Sequence, residues 1–183
     1  MRVLLYQGGA QYNALNRFSE QLGEGLKKIG HQVEIINLLE ADKNRDLLIN
    51  ALANKPNLVI GFNGMGSDIR MKDNRSVYEV AECGYLQLLL DHPAFHEARL
   101  VKSPANAITG VVDITHLDYL GKTRPRHSAF FAPHGGIQSP DFKTTDRPID
   151  ILFTGTGMDP EKERKSWNQF PHAYRSILQE AFD

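Results

Sequence analysis

The stretch Val3-Leu4-Leu5-Tyr6-Gln7-Gly8-Gly9 is a short apolar run closed by a glycine turn, and three later apolar runs are likewise each closed by a small or polar turn. The later runs are residues 58–62 before Asn63-Gly64, residues 87–90 before Asp91-His92-Pro93, and residues 108–112 before Asp113. Apolar runs of this length are typical of buried strands in a parallel sheet. Ligands of such sheets bind outside the carboxyl ends of the strands, so the turns are the candidate functional segments.

Helical patterns separate these runs. From Tyr12 to Ile29 apolar residues recur at spacings of three and four, and Gly30 follows as a stop signal. His31 to Leu38 is predicted as the second strand, Lys43 to Asn54 as a helix and Asn57 to Phe62 as the third strand. This alternation predicts an α/β fold, namely a Rossmann-like, doubly wound, mostly parallel sheet with flanking helices.

The middle of the chain continues the alternation up to a sixth strand. The predicted elements are a helix from Val77 to Cys83, a strand from Tyr85 to Leu90, a short helix from Pro93 to Leu100, a strand from Ala107 to Val112 and a strand from Ser128 to Ala132. The sixth strand ends in Pro133-His134-Gly135-Gly136.

A change of composition predicts a boundary after this turn. Residues 137–148 are rich in Ser, Pro, Thr, Asp and Lys without apolar periodicity, which is typical of a linker. Residues 1–136 then form the Rossmann-like domain, and residues 149–183 form a strand, a glycine-rich turn and a charged helix that Asp159 caps. A strand and one helix cannot bury their own apolar faces, so this last segment is expected either to dock on the main sheet or to open a domain that the chain does not contain.

Composition excludes several classes of partner and site. The formal net charge of -1 over 183 residues gives no global reason to expect nucleic acid or anionic membranes as partners. The single cysteine, Cys83, excludes an internal disulfide framework and is expected to be a packed helix residue in a reducing cytoplasm. No long apolar segment is present, so no membrane span is predicted. We also predict no resident metal or cofactor.

The first two turns are candidate substrate-binding segments. Gly8 and Gly9 let backbone amides approach a phosphate, carboxylate or sugar at a helix amino end, although the dinucleotide fingerprint is absent. Asn63 and Gly64, with Asp68 close behind, offer the mixture of donors and acceptors that polyol recognition needs. The alternatives are a tight strand-to-helix turn at the first site and a mobile glycine loop at the second.

The next turns carry the candidate catalytic residues. Asp91 and His92 follow one strand, and Asp113 and His116 follow the next, so a carboxylate and an imidazole stand at each strand end. Neighbouring strand ends converge, and such groups can act as a general base with its orienting partner. Asp91 could instead cap the following helix, and adjacent side chains such as Asp91 and His92 usually point apart. His134 and Gly135 could add an imidazole and backbone donors, or form a plain glycine turn.

The ordered set of these motifs resembles the amino-terminal half of a bacterial GT-B glycosyltransferase. The motifs are residues 4–9, Gly61-Phe62-Asn63-Gly64, Leu90-Asp91-His92-Pro93, Val112-Asp113 and Pro133-His134-Gly135-Gly136, and residues 147–157 resemble the start of the second half. The resemblance covers nearly the whole chain through short motifs.

This resemblance implies a two-domain enzyme of which the chain holds the acceptor side. The first domain of such enzymes takes the sugar acceptor, and the second, almost absent here, binds the nucleotide-sugar donor. Transfer needs no metal in most members, and a carboxylate or histidine of the first domain removes the proton of the acceptor hydroxyl. Asp91, His92, Asp113 and His116 are the candidates for this role, and the isolated chain is expected to be inactive.

Two other functions fit the same sequence. A flavodoxin-like flavin-binding oxidoreductase could hold a flavin phosphate with Gly8, Gly9 and Asn63. A carbohydrate- or partner-binding module could use the same strand ends without chemistry.

Overall fold

The computed structural model of the chain describes residues 1–9, 13–135 and 159–182. The chain divides into two compact units, Met1–Ile137 and Gln138–Asp183. The strands of the first unit are β1 (Arg2–Gln7), β2 (Gln32–Asn37), β3 (Leu58–Phe62), β4 (Gly84–Leu89), β5 (Ala107–Val111) and β6 (Ser128–Phe131). Its helices are α1 (Ala14–Lys28), α2 (Ala41–Ala53), α3 (Val77–Val80), α4 (Glu97–Val101) and α5 (Ile114–Thr123).

All six described strands form one parallel sheet in the order β2-β1-β3-β4-β5-β6. The chain moves outward from β1 to β2 and then back past β1 to β3 and beyond. Right-handed crossovers therefore place α1 on one face of the sheet and the later helices on the other. The predicted α/β, Rossmann-like, doubly wound fold is confirmed.

The face under α2 to α5 holds most of the core. Its larger cluster includes Leu4, Tyr6, Val59, Tyr78 and Tyr85, and a second cluster surrounds Leu89 and Val111. Three tyrosines meet in the larger cluster, where Tyr78 and Tyr85 stack with ring centroids 4.6 Å apart. Burial raises the pKa of the Tyr6 hydroxyl, so this cluster stays neutral.

Within residues 1–9 and 13–135, the opposite face is only partly covered. Helix α1 packs Leu22 and Leu26 over Val3, Leu5 and Ile60. Farther along the sheet, Ile108 of β5 is 46% exposed and Phe130 of β6 is 43% exposed. Along β4 buried and half-buried residues alternate, so among the described residues this strand is fully covered on one side alone. The expectation of strands buried on both faces holds for β1 and β3 but not for β4 to β6.

Several predicted helices differ from the observed ones. No helix was expected after Asp113, yet α5 begins there because Asp113 caps it and Leu117 and Leu120 face the core. Helix α3 ends at Val80, and Cys83 lies beyond it as a buried residue immediately before β4 rather than within a helix. The predicted long C-terminal helix is wrong as a single element.

The C-terminal unit contains two helices separated by a short break. These are α6 (Pro160–Ser166) and α7 (His172–Phe182), with a 3-10 turn at Trp167–Gln169 and Pro171 between them. Asp159 caps α6 as predicted, through the amide of Glu161 at 3.0 Å. The predicted linker at 137–148, the strand Ile149–Phe153 and the turn at 154–157 lie outside the described residues.

Candidate functional site

Parallel pairing brings three of the predicted turns to one edge of the sheet. Asn63 follows β3, Asp91 and His92 follow β4, and Asp113 follows β5, and these strands are neighbours. Two polar clusters form there. The carboxylate cluster consists of Asn63, Asp91, His96 and Arg99, and the imidazole cluster consists of His92, Asp113, His116 and Tyr119.

Asn63 organises the carboxylate cluster. Its side-chain amide donates to Oδ2 of Asp91 at 2.8 Å, and its side-chain oxygen accepts from the backbone amide of Leu90 at 2.8 Å. The guanidinium of Arg99 donates to the backbone carbonyl of Asn63 at 2.7 Å. The strand ends of β3 and β4 are thereby joined, and Asp91 is held although its side chain is 60% exposed.

His96 lies beside the same carboxylate. Its Nε2 is 3.5 Å from Oδ2 of Asp91, and its side chain is 13% exposed. Burial lowers the pKa of His96, while the charge of Asp91 works in the opposite direction. The neutral imidazole is therefore favoured, and the solvent-facing side chain of Asp91 lies next to a largely buried ring.

The loop that carries Asn63 is buried and closely tied to the core. Residues 63–67 are all buried, and the hydroxyls of Tyr85 and Tyr78 donate to the carbonyls of Met65 and Gly66 at 2.8 Å and 2.5 Å. Gly66 has a φ of 83°, and a Cβ there would lie 2.5 Å from the Tyr6 ring. The alternative of a mobile glycine loop does not hold for this segment, because the turn is part of the core.

The imidazole cluster joins two residues that the sequence placed on separate strand ends. The rings of His92 and His116 meet edge to face with centroids 4.7 Å apart. The ring of Tyr119 also meets that of His92 edge to face, with centroids 4.8 Å apart. Nδ1 of His92 accepts from the backbone amide of Ala94 at 3.2 Å, so His92 caps the 3-10 turn Pro93–His96. Nδ1 of His116 is buried and has no hydrogen-bond partner among the described residues.

Asp113 adds a negative charge to this cluster. Its Oδ1 accepts from the amide and the hydroxyl of Thr115, both at 2.8 Å, and thereby caps α5. These hydrogen bonds lower the pKa of Asp113, and the neighbouring rings of His116 and His92 lower it further. The carboxylate is thus kept charged beside two imidazoles.

The structure separates Asp91 from His92 and gives the capping role to the latter. Asp91 joins the carboxylate cluster, whereas His92 joins the imidazole cluster, as expected for adjacent side chains that point apart. The next turn is capped by His92 rather than by Asp91.

The first glycine turn lies at the switch point of the sheet, between the carboxyl ends of β1 and β3. The amide of Gly8 donates to Oδ1 of the buried Asn16 at 2.9 Å. A Cβ on Gly8 would lie 2.8 Å from Sδ of Met65, so this methionine fills the space above the turn. Gly9 is exposed, and Ala10 to Tyr12 lie outside the described residues.

The remaining predicted binding residues have different surroundings. Gly64 is buried, with a φ of 70°, and Asp68 is exposed at the end of the same loop. His134 and Gly135 follow β6 and line an apolar cavity of about 290 Å³ together with Phe18, Phe62 and Val112. Gly136 lies outside the described residues.

Sequence reasoning missed three members of the two clusters. His96 and Arg99 belong to the short helical segment after β4, and Tyr119 belongs to α5. The cap at Asp113 followed by Leu117 and Leu120 at a spacing of three could have predicted α5, and with it the position of Tyr119. No local signal predicted that Arg99 would reach the carbonyl of Asn63, 36 residues away.

Over residues 1–9, 13–135 and 159–182 there is no group of three or more His, Cys, Asp or Glu side chains placed to hold a metal ion. In the same ranges no helix combines the length and apolar character that crossing a bilayer requires.

Comparison with known proteins adds little to this description. No family model matches the chain, and no curated protein matches it. Among solved structures, a flavone reductase aligns with a TM-score of 0.35 at 14% sequence identity over 69% of this chain. The chain spans 58% of the length of that protein. A likeness at this level carries no argument about function.

Proposed function

We propose that this chain is the acceptor-side part of a GT-B-type glycosyltransferase that moves a sugar from a nucleotide donor to an acceptor hydroxyl. The observation that supports this most directly is the imidazole cluster, in which His92 and His116 touch beside the carboxylate of Asp113 at the carboxyl edge of the sheet. A hydroxyl becomes a nucleophile when a base removes its proton, and imidazole beside a carboxylate is a common arrangement for this step.

We assign the base to His116. Nδ1 of His92 is already occupied by the amide of Ala94, so that lone pair cannot take a proton without breaking the cap. Nδ1 of His116 has no such bond among the described residues, so this ring is not committed to a cap. Asp113, whose pKa is lowered by its hydrogen bonds to Thr115, places a negative charge next to the ring.

Asp91 is proposed to bind the acceptor. Its carboxylate is open to solvent, and Asn63 holds it in place from the neighbouring strand. A charged carboxylate accepts hydrogen bonds from sugar hydroxyls and carries two oxygens for this purpose. Asn63 and Arg99 are positioning residues in this scheme, since the side-chain amide of Asn63 holds Asp91 and one guanidinium nitrogen of Arg99 holds the carbonyl of Asn63.

The donor site is proposed to lie in a second domain. In the reaction the acceptor oxygen attacks the anomeric carbon, the bond from that carbon to the phosphate oxygen breaks, and the nucleoside diphosphate leaves. No donor site is assigned to the described residues, so partner groups outside them would stabilise the departing diphosphate. The net charge of -1 gives no reason to add nucleic acid as a partner, and we place the protein in the cytoplasm.

The proposal is tested by following the histidine rings with simple acceptors. In a ¹⁵N-labelled chain, methyl hexosides at millimolar concentration are expected to shift the ring signals of His92 and His116 and to leave those of His31 unchanged. His116→Gln joined to a nucleotide-sugar-binding domain is expected to lose transfer from UDP-, GDP- or TDP-hexoses by about 100-fold or more.

His92→Gln serves as the matched variant. It removes an imidazole from the same cluster but not the proposed base, so transfer should fall much less than in His116→Gln. Equal losses in both variants would contradict the assignment of the base. Vigorous transfer by the isolated chain would contradict the need for a second domain.

A flavin-binding function is the second candidate, because the order β2-β1-β3-β4-β5 is the flavodoxin-like order, in which flavin binds at the β1/β3 switch point. Against it, the amide of Gly8 already donates to Asn16, and Met65 fills the space above the turn. Titration with flavin mononucleotide separates the two functions: quenching of flavin fluorescence at micromolar protein would favour the rival.

A binding module without chemistry predicts a different result for Asp91→Asn and Asp113→Asn. In a module these changes reduce affinity for the methyl hexosides. In a transferase joined to its second domain they reduce turnover more than acceptor affinity.

A further inference from the structure

The molecule has an apolar cavity beside the two polar clusters. It lies between α1 and the carboxyl ends of β3, β4 and β5, and its volume is about 290 Å³. Phe18 and Leu22 of α1 form one wall, and Phe62, Leu90 and Val112 come from the strand ends. The rings of Phe18 and Phe62 stand 5.9 Å apart and continue that wall into the sheet.

The cavity exists because this face of the sheet is sparsely covered. In the described part of the chain α1 is the helix that packs on this face, and it covers β1, β2 and β3. Gly110 contributes no side chain to the floor of the cavity, and residues 132–135 close the far side. The space is therefore a recess between α1 and residues 132–135 that stays partly open to solvent.

Its position relates it to the proposed acceptor site. Leu90 and Val112 line the cavity, and the next residues along the chain are Asp91 and Asp113. Because residues 90 and 112 directly precede Asp91 and Asp113, the cavity and the polar clusters lie at the same carboxyl edge of the sheet. Gln21 and His134 are the polar side chains among its described lining residues.

We propose that this cavity binds a flat apolar ring system of up to two fused rings, and that the acceptor of the proposed reaction carries such a group next to its reacting hydroxyl. The second half of this inference rests on the proposed function, whereas the first half does not. An apolar cavity of about 150 Å³ accommodates benzene, so 290 Å³ has room for a bicyclic ring. Apolar walls with a few polar groups are typical of sites for such ligands.

The cavity is tested first with 2-naphthol, which carries the ring and no sugar. Binding to the unmodified chain at submillimolar concentration is expected, with intermolecular nuclear Overhauser effects to the methyl groups of Leu22, Leu90 and Val112. A larger groove of about 700 Å³ lies between α2 and residues 69–73, where Leu48 and Leu52 would report binding. Contacts to those methyl groups instead, or no binding at all, would overturn the proposal.

A matched pair of variants fills the cavity or leaves it empty. Val112→Phe places a ring inside it and is expected to weaken 2-naphthol binding at least tenfold. Val101→Phe makes the same change at a side chain that is 65% exposed on α4, and binding should stay within twofold. If both variants fold, as judged by circular dichroism, and bind 2-naphthol equally well, the ligand does not occupy this cavity. If Val112→Phe does not fold, the nuclear Overhauser effects in the unmodified chain decide where 2-naphthol binds.

Glycosides separate the failure of this inference from the failure of the proposed function. A 2-naphthyl hexoside is expected to bind at least tenfold more tightly than the methyl hexoside and to shift His92 and His116. If the two glycosides bind equally tightly, the acceptor does not carry an aromatic group, but the proposed transferase function is not contradicted. If 2-naphthol binds but neither glycoside shifts the signals of the two histidines, the result supports the ring-binding cavity and contradicts the proposed transferase function.

Discussion

At the scale of single residues, Asn63 is the link between two strand ends. It has a φ of 50°, a left-handed conformation that asparagine tolerates better than most residues. Its side chain bonds both Asp91 and the amide of Leu90, so one residue closes the turn after β3 and holds the carboxylate after β4.

The change Asn63→Asp tests this link. It replaces the donor that faces Asp91 with a second carboxylate, so we expect a loss of about 1–3 kcal/mol of unfolding free energy at pH 7. The loss should shrink at pH 4.5, because protonation of the new carboxyl at position 63 restores a donor. Urea denaturation at both pH values measures it.

Asn74→Asp is the control for that change. Asn74 also has a positive φ, 67°, but it is exposed, so its substitution should stay within about 0.5 kcal/mol. Equal effects at the two positions would show that backbone conformation, rather than the bond to Asp91, explains the loss.

A second residue-scale feature is the buried polar group around His127. Gln87 and Thr109 are fully buried, and the amide of Gln87 donates to the Thr109 hydroxyl at 2.7 Å. His127 contacts both side chains. Burial lowers the pKa of His127, and the nearby charge of Arg124 lowers it further.

This shift predicts the pH dependence of stability. The folded pKa of His127 lies below its ordinary value of 6.5, so the unfolded chain binds the proton more readily. The contribution of His127 to the free energy of unfolding is fully present above pH 6.5 and is lost as the pH falls through its folded pKa. His127→Gln should reduce the stability difference between pH 7.5 and pH 5.5 in urea titrations; an unchanged difference would assign it to other groups.

At the scale of elements, the turn after β3 depends on close backbone approach. A Cβ on Gly61 would lie 2.1 Å from the carbonyl oxygen of Met65 and 2.8 Å from the hydroxyl of Tyr85. The loop can therefore fold back over its own strand only because position 61 has no side chain.

Two glycine-to-alanine changes separate this requirement from helix propensity. Gly61→Ala is expected to destabilise the protein by about 3 kcal/mol or to prevent folding, because the carbonyl cannot move without breaking the Tyr85 bond. Gly25→Ala lies in α1 with nothing within 4 Å of the new Cβ, and it should stabilise by about 0.5–1 kcal/mol. Thermal unfolding reports both; a stable Gly61→Ala protein would contradict the described turn.

At the scale of the whole molecule, the two faces of the sheet differ in how completely the described helices cover them. Val111 and Ile108 stand on the same strand and point to opposite faces, yet Val111 is fully buried and Ile108 is 46% exposed. Stability should therefore depend on the face on which a residue lies rather than on the size of its side chain.

Alanine substitutions along β5 test this asymmetry. Val111→Ala is expected to cost about 2 kcal/mol, whereas Ile108→Ala, which removes more atoms, should cost about 1 kcal/mol or less. Denaturant midpoints of the two variants measure the difference. A larger cost at Ile108 would mean that something in the full chain covers this face.

Local sequence determined the strands, their order of appearance and the turns that end them. Apolar runs such as 3–6 and 58–62 are typical of buried strands, and the apolar spacing of α1 can be recognised within its own residues. These signals therefore do not depend on distant parts of the chain. The same locality predicted that polar groups after β4 and β5 would share an edge.

Tertiary structure alone decided which of those groups touch and which face stays open. Asp91 meets Asn63 across 28 residues, and His92 meets His116 through the packing of α5, because strand register and helix packing bring together atoms that no local window contains. The positions of the helices likewise decide which parts of the sheet are covered. The apolar cavity and the exposed side of β5 follow from the positions of the helices on the sheet. No local sequence pattern predicts those positions.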